Sequence, residues 1–130
     1  MRVPRTLHLL GHDWRVEFVP PEKLAAIIRE TSPVEADDGY FVAYWNIQHR
    51  AIWVDGTIPP NMMLEAILHE TSEIIAHELG FERVSPADDA GHKELGLLCR
   101  FLASVILENQ WLAEWPAEIY GEAHGDTTQN

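Results

Sequence analysis

The sequence predicts an α+β fold, in which a small antiparallel sheet packs on two long helices and a short helix lies near the N-terminus. Two observations lead to this prediction. Up to about residue 55, short segments alternate between apolar and polar residues or are dense in aromatic and β-branched residues, as strands are. From residue 60 onwards, apolar residues recur at helical spacing over two long segments.

Four strands are predicted in two hairpins, over residues 6–10, 14–19, 40–47 and 51–55. The first hairpin turns through Gly11, His12 and Asp13, and the second turns near Gln48 and His49. Apolar and charged residues alternate along the second strand, so we expect one of its faces to be buried.

Three helices are predicted, over residues 21–30, over residues 60–79, and from a start between residues 85 and 91 to about residue 109. The second is the best defined, because its apolar residues form one broad face: Leu64, Ile67, Leu68, Thr71, Ile74, Ile75 and Leu79. Gly80 is a natural helix stop. Trp111 and Trp115 are expected to fold back onto the body. The sequence therefore predicts one domain over residues 1–115 and a flexible C-terminal tail over residues 116–130.

The composition is strongly acidic, with 9 Lys and Arg against 21 Asp and Glu and a net charge of −12. A surface this negative repels phosphate backbones and anionic lipid, which disfavours nucleic-acid and membrane partners. The single cysteine cannot form an intramolecular disulfide, which is typical of a reducing compartment. No apolar run has the length of a membrane span or of a signal-peptide core. We therefore expect a cytoplasmic protein.

The segment His69-Glu70-Thr71-Ser72-Glu73 has the form HExxE, one residue away from the HExxH signature of zinc metallopeptidases. Residues four apart on a helix have Cβ atoms about 5–6 Å apart. Zinc bonds of about 2.0–2.2 Å let His69 and Glu73 reach one ion. His77 lies about 12 Å further along the axis, so a third ligand must come from elsewhere. His92, near the inward face of the next helix, is the best candidate.

This set of side chains predicts a zinc-dependent hydrolase of the peptidase type. Two histidines and a carboxylate leave the fourth zinc position for water, although the same set also suits other divalent transition metals. Glu70 is the candidate general base, taking a proton from the metal-activated water that attacks a peptide carbonyl. His77, Tyr40 and Tyr44 are candidate donors to the tetrahedral intermediate, and their spacing does not select among them.

Other interpretations stay open. His69, Glu73 and His77 all fall opposite the apolar face, so they can also form a solvated stripe. The absence of Lys and Arg over residues 51–82 counts against that, because exposed helix faces usually mix both signs of charge. An acidic interaction module without any metal is a further alternative.

The pattern resembles small zincin-like proteins of phages and prophages, which are distantly similar to the ImmA/IrrE-type metallopeptidases. The matching segments are Ile52-Trp53-Val54-Asp55, Ile67-Leu68-His69-Glu70-Thr71-Ser72-Glu73, His92 and Val105-Ile106-Leu107-Glu108-Asn109.

The resemblance implies a zincin-like fold with His69, Glu73 and His92 as metal ligands and Glu70 as general base. It also implies that a peptide or protein substrate pairs along the strand at residues 51–55. Glu73 replaces the second histidine of the family pattern. A catalytically inactive zincin-fold protein of phage or bacterial origin, acting as an accessory or interaction protein, is therefore the alternative function.

Overall fold

The computed structural model describes residues 2–31, 41–80 and 89–115, without the side chains of residues 89–96 and 99. The elements in these ranges are β1 (Arg5–Leu9), β2 (His12–Val19), α1 (Pro21–Thr31), β3 (Ala43–Asn46), β4 (Ala51–Asp55), α2 (Pro60–Glu78), α3 (Asp89–Glu108) and α4 (Gln110–Ala113). Most of the loop expected over residues 31–39, the cap expected at residues 85–88 and the tail expected over residues 116–130 lie outside the described residues.

The four strands form one mixed sheet in the order β1-β2-β4-β3. Both predicted hairpins, β1 with β2 and β3 with β4, are antiparallel, but β2 and β4 pair in parallel. The α+β class is therefore confirmed, and the prediction of a wholly antiparallel sheet is wrong. The reason is that hairpin signals are local. They say nothing about how two hairpins join when α1 and β3 intervene between β2 and β4.

Helices cover both faces of the sheet. α1 packs against β3 and β4 on one face, whereas α2 packs against β3, β4 and α3 on the other. The alternation predicted for β2 is confirmed, since Trp14, Val16 and Phe18 are buried in the larger core while Arg15 is exposed. The smaller core under α1 consists of Val19, Leu24, Ile28, Tyr44, Ala51 and Trp53.

The buried stripe of α2 differs from the predicted one. Its buried residues are Met63, Ala66, Ile67, Glu70, Thr71, Ile74 and Ile75. Leu79, expected in the apolar face, is 37% exposed, whereas Glu70 is only 8% exposed. The helix is thus rotated so that one carboxylate lies among apolar side chains. Hydrophobic periodicity alone does not resolve such a rotation.

The edge of the sheet at β1 is covered by side chains that follow α3. Asn109 Oδ1 accepts a hydrogen bond from His8 N (2.7 Å), and its Nδ2 donates to His8 O (2.8 Å). Trp111 Nε1 donates to Thr6 O at 3.0 Å. Trp115 is fully buried in the larger core, which confirms that the C-terminal tryptophans fold back. Among the described residues, no helix combines the length and apolar content needed to cross a bilayer.

The first hairpin turns through Leu10 and Gly11, whose φ angles are 50° and 80°. Two consecutive residues with positive φ define the tight turn that suits the twist of two-residue hairpins. The predicted connection through His12 and Asp13 is wrong, because these residues pair with Leu9 and His8.

Replacing Gly11 with alanine is expected to lower the free energy of unfolding by about 1–2 kcal/mol, the cost of a left-handed residue that carries a Cβ. An added Cβ meets no atom within 4 Å, so the loss comes from the backbone alone. Gly11→Asn is the matched control and should lose less, because asparagine tolerates positive φ. Urea denaturation of both variants measures the difference, and equal losses would contradict this account.

Candidate metal and catalytic site

A cleft of about 540 Å³ lies between β3 and α2. Its walls are the edge strand on one side and the His and Glu residues of the HExxE segment on the other. The residues that line it are Phe41, Ala43, Tyr44, Trp45, Asn46, Ile47, His69, Glu70 and Glu73. The cleft therefore contains three of the four residues predicted to carry the chemistry.

His69 and Glu73 meet at the mouth of this cleft. Nε2 of His69 lies 3.2 Å from Oε2 of Glu73. Two ligand atoms at zinc-bond length from a tetrahedral ion lie about 3.4 Å apart, so this pair needs little movement to hold one cation. The side chains are 71% and 47% exposed, which is also what a solvated pair four residues apart on a helix shows.

Glu70 occupies the floor of the same cleft. Its side chain is set into the buried stripe of α2 and yet lines the opening. Burying a carboxylate costs free energy that an apolar residue at the same position would not cost. Position 70 therefore carries the one acidic side chain of the buried α2 stripe, directly beside the exposed pair formed by His69 and Glu73.

The third predicted ligand, His92, belongs to α3, but its side chain lies outside the part of the chain that the structure describes. Among the described side chains, no group of three His, Cys, Asp or Glu residues is arranged to hold a metal ion. The described residues thus fit two ligands of the predicted site, and the assignment of His92 stays a prediction.

The candidate donors differ in position. Tyr44 Oη lies 3.1 Å from Thr31 Oγ1, which itself donates to Ile27 O. The Tyr44 hydroxyl is therefore directed towards α1. The His77 ring is exposed and packs on Trp45, with ring centroids 5.4 Å apart. Tyr40 lies outside the described residues.

The strand expected to receive a peptide is not at an edge. β4 lies between β2 and β3 and pairs with both, so its backbone groups are already used, and pairing of a peptide along residues 51–55 is excluded. β3 is the edge strand beside the cleft instead. Asp55 N donates to Val42 O. Since ladder bonds alternate along antiparallel strands, the backbone groups of Ala43 and Trp45 point outward.

Sequence reasoning missed the contribution of the β3 edge to the site. The sequence did contain a signal for a strand whose two faces differ, because Ala43 and Trp45 alternate with Tyr44 and Asn46. What was missing is the order of the strands, which decides that β3 borders α2.

With the geometry of the site established, comparison with known proteins adds no relative: no family, curated protein or solved structure matches the chain.

Proposed function

We propose that this chain is a zincin-like, zinc-dependent hydrolase that cleaves a peptide bond, with Glu70 as general base. The observation that carries the proposal is the buried Glu70 carboxylate, which lines the cleft beside the pair formed by His69 and Glu73. Exposed acidic pairs are common on helices. A glutamate that is only 8% exposed and lines a cleft is uncommon, because charged residues are rarely this buried.

His69, Glu73 and His92 would hold the metal, and another divalent transition metal suits the same donors. Bound zinc supplies an electrophile that polarises a carbonyl group and makes water more acidic. Glu70 receives the proton of the attacking water at a carboxylate oxygen and passes it to the leaving amine.

The substrate would lie along β3 rather than β4. The outward N–H and C=O groups of Ala43 and Trp45 can pair with an extended peptide, because added strands form the same ladder bonds as native ones. Such a peptide would run along the wall of the cleft opposite Glu70. The edge at β1 does not compete, since Asn109 and Trp111 cover it.

The metal part of the proposal predicts one zinc ion per chain after reconstitution of the full-length protein. His69→Ala and Glu73→Ala should each lower zinc affinity by tenfold or more, since each removes one of about four ligands. His92→Ala should do the same, and this variant tests the third ligand. His77→Ala is the matched control and should bind zinc like the wild type. Elemental analysis and calorimetric titration with zinc measure these affinities, and retention of zinc by the His69 variant overturns the assignment.

The catalytic part predicts that Glu70→Gln abolishes peptide hydrolysis, with a loss of about 10²–10⁴-fold in kcat, while zinc content is unchanged. Glutamine keeps the size of the side chain and removes its basicity. A fluorogenic peptide library, assayed with and without zinc, provides the substrates. Undiminished hydrolysis by Glu70→Gln would rule out this role.

The exposure of the proposed ligands favours one alternative function. Side chains that are 71% and 47% exposed hold a metal in contact with solvent rather than in a closed site. A zincin-fold protein that binds a peptide at the β3 edge without cleaving it has the same architecture. Zinc binding together with peptide binding and no hydrolysis in either wild type or Glu70→Gln identifies this accessory or interaction protein.

A further inference from the structure

The two edges of the sheet differ in how they are protected. The edge at β1 is covered, because the side chains of Asn109 and Trp111 hydrogen bond to its backbone. The edge at β3 pairs, among the described residues, with β4 alone. An open sheet edge is a template for pairing with another strand, and natural proteins blunt such edges with charged side chains, prolines or bulges.

The β3 edge carries none of these protective features. The segment from Phe41 to Ile47 contains no charged residue and no proline, in a chain with a net charge of −12. Its register with β4 is regular from Ala43 to Asn46, so no bulge twists this part of the strand away. Ile47, at the end of the segment, is 40% exposed. The edge is thus an uncharged strand at which two like-charged molecules can approach with little local repulsion.

The spacing of the outward backbone groups makes this edge complementary to itself. Ala43 and Trp45 present their groups on either side of Tyr44, whose own groups bond to β4. A two-fold axis through Tyr44 sets Ala43 of one copy opposite Trp45 of the other, in antiparallel pairing. Each of these pairs then exchanges both of its N–H···O bonds, so that every outward backbone group of Ala43 and Trp45 has a partner.

The side chains on the cleft side of the strand fit the same pairing. Opposite residues of an antiparallel pair lie on one face of the sheet with Cβ atoms about 4.5–5.5 Å apart. Ala43 is small and Trp45 is large, so each alanine leaves space for the tryptophan of the other copy. Both residues line the cleft of about 540 Å³ beside α2, which gives the ring room. The same register brings Ile47 level with Phe41 of the other copy and so adds an apolar contact.

We propose that two copies of this chain pair through β3 and form a dimer in which the two four-stranded sheets become one. A second copy is favoured over an unrelated strand, because the edge complements itself both in its hydrogen-bonding groups and in the sizes of its side chains. The dimer also closes the cleft. This consequence rests on the proposed function, in which the substrate lies along β3: a paired edge has no backbone groups left for a peptide, so the dimer is the inactive form.

Sedimentation equilibrium of the full-length, zinc-free protein tests the pairing. The mass of the wild type should rise from that of one chain to that of two chains as its concentration increases. Ile47→Lys places a charge at the edge and should weaken dimerisation by about tenfold or more. Gln48→Lys is the matched control, because it adds the same charge at the next residue, which is exposed. This control should dimerise like the wild type.

A second variant and a salt series make the test independent of Ile47. Ala43→Pro removes an outward N–H group and leaves the bonds to β4 in place, because proline is tolerated at an edge where its nitrogen points away from the sheet. It should abolish dimerisation while the circular dichroism stays that of the wild type. Added sodium chloride should strengthen the wild-type dimer, because it screens the repulsion between two chains that each carry a net charge of −12.

Two results would overturn the pairing: the mass of a single chain at every concentration and salt, or equal dimerisation of Ile47→Lys and the wild type. Closure of the cleft is measured separately, as peptide hydrolysis per chain by the zinc-loaded wild type. Hydrolysis per chain should rise on dilution through the range in which the dimer dissociates, and a constant rate overturns the closure. Absence of hydrolysis at every concentration overturns the proposed function and the closure with it, but not the pairing, since that test needs no zinc.

Discussion

Replacing Asn109 with alanine is expected to lower the free energy of unfolding by about 2–4 kcal/mol. The side chain makes three hydrogen bonds: it accepts from His8 N and donates to His8 O and Val105 O, at 2.7–2.8 Å. Each such bond contributes about 0.5–1.5 kcal/mol, and a buried group left without a partner costs about 1–3 kcal/mol more. Asn109 is 2% exposed, so water replaces these bonds poorly.

Gln110→Ala is the matched control, since Gln110 is the next residue and is exposed. It should change the free energy of unfolding by less than about 0.5 kcal/mol. Asn109→Asp is the sharper comparison. It keeps the acceptor for His8 N but sets a carboxylate against two carbonyl oxygens, and it should therefore be no more stable than Asn109→Ala. Urea denaturation gives all three values. A loss below about 1 kcal/mol in Asn109→Ala would mean that the edge of the sheet at β1 does not depend on this residue.

Trp115→Ala is expected to cost about 3–5 kcal/mol, the range for removing a fully buried tryptophan. The ring is 0% exposed and stacks on Phe18 with centroids 6.0 Å apart. Its indole N–H donates to Pro60 O at 2.8 Å, which fixes the first residue of α2. The substitution therefore leaves a cavity and removes a hydrogen bond at the start of the helix that carries the candidate site.

Leu107→Ala is the control for Trp115→Ala, because Leu107 is a large apolar residue that is 78% exposed. Its loss should be within about 0.5 kcal/mol of zero. Trp115→Phe refills part of the cavity but cannot donate to Pro60 O, so it should fall between the wild type and Trp115→Ala. Thermal and chemical unfolding measure this order. If Trp115→Ala unfolds like the wild type, the C-terminal residues do not stabilise the larger core.

Much of the local structure was predictable because the relevant signals lie within a few residues of one another. The alternation along β2 predicted which residues are buried, and the aromatic pair at the C-terminal end predicted the return of Trp115 to the core. The errors in local structure also come from the reliance on signals within a few residues. The predicted turn began one residue late and ended two residues late relative to the observed turn at Leu10 and Gly11, because the sequence alone did not indicate a left-handed conformation for Leu10.

The candidate site was predictable only in part. Spacing along one helix brings His69 and Glu73 together, and their 3.2 Å contact agrees with that expectation. The burial of Glu70 depends on which face of α2 meets the sheet. The strand that borders the cleft depends on the strand order, and the prediction placed the substrate on β4 rather than β3.

By itself, the sequence determined the α+β class, the two hairpins and the position of the HExxE segment within a helix, because these follow from residue periods of two and 3.6 and from local turn chemistry. Only the tertiary structure decided that the sheet is mixed, that β3 rather than β4 forms an edge, and that Glu70 lies at the base of a cleft. The physical reason is that strand order and helix rotation are set by how whole faces pack together. That packing joins residues far apart in the chain, which no local pattern specifies.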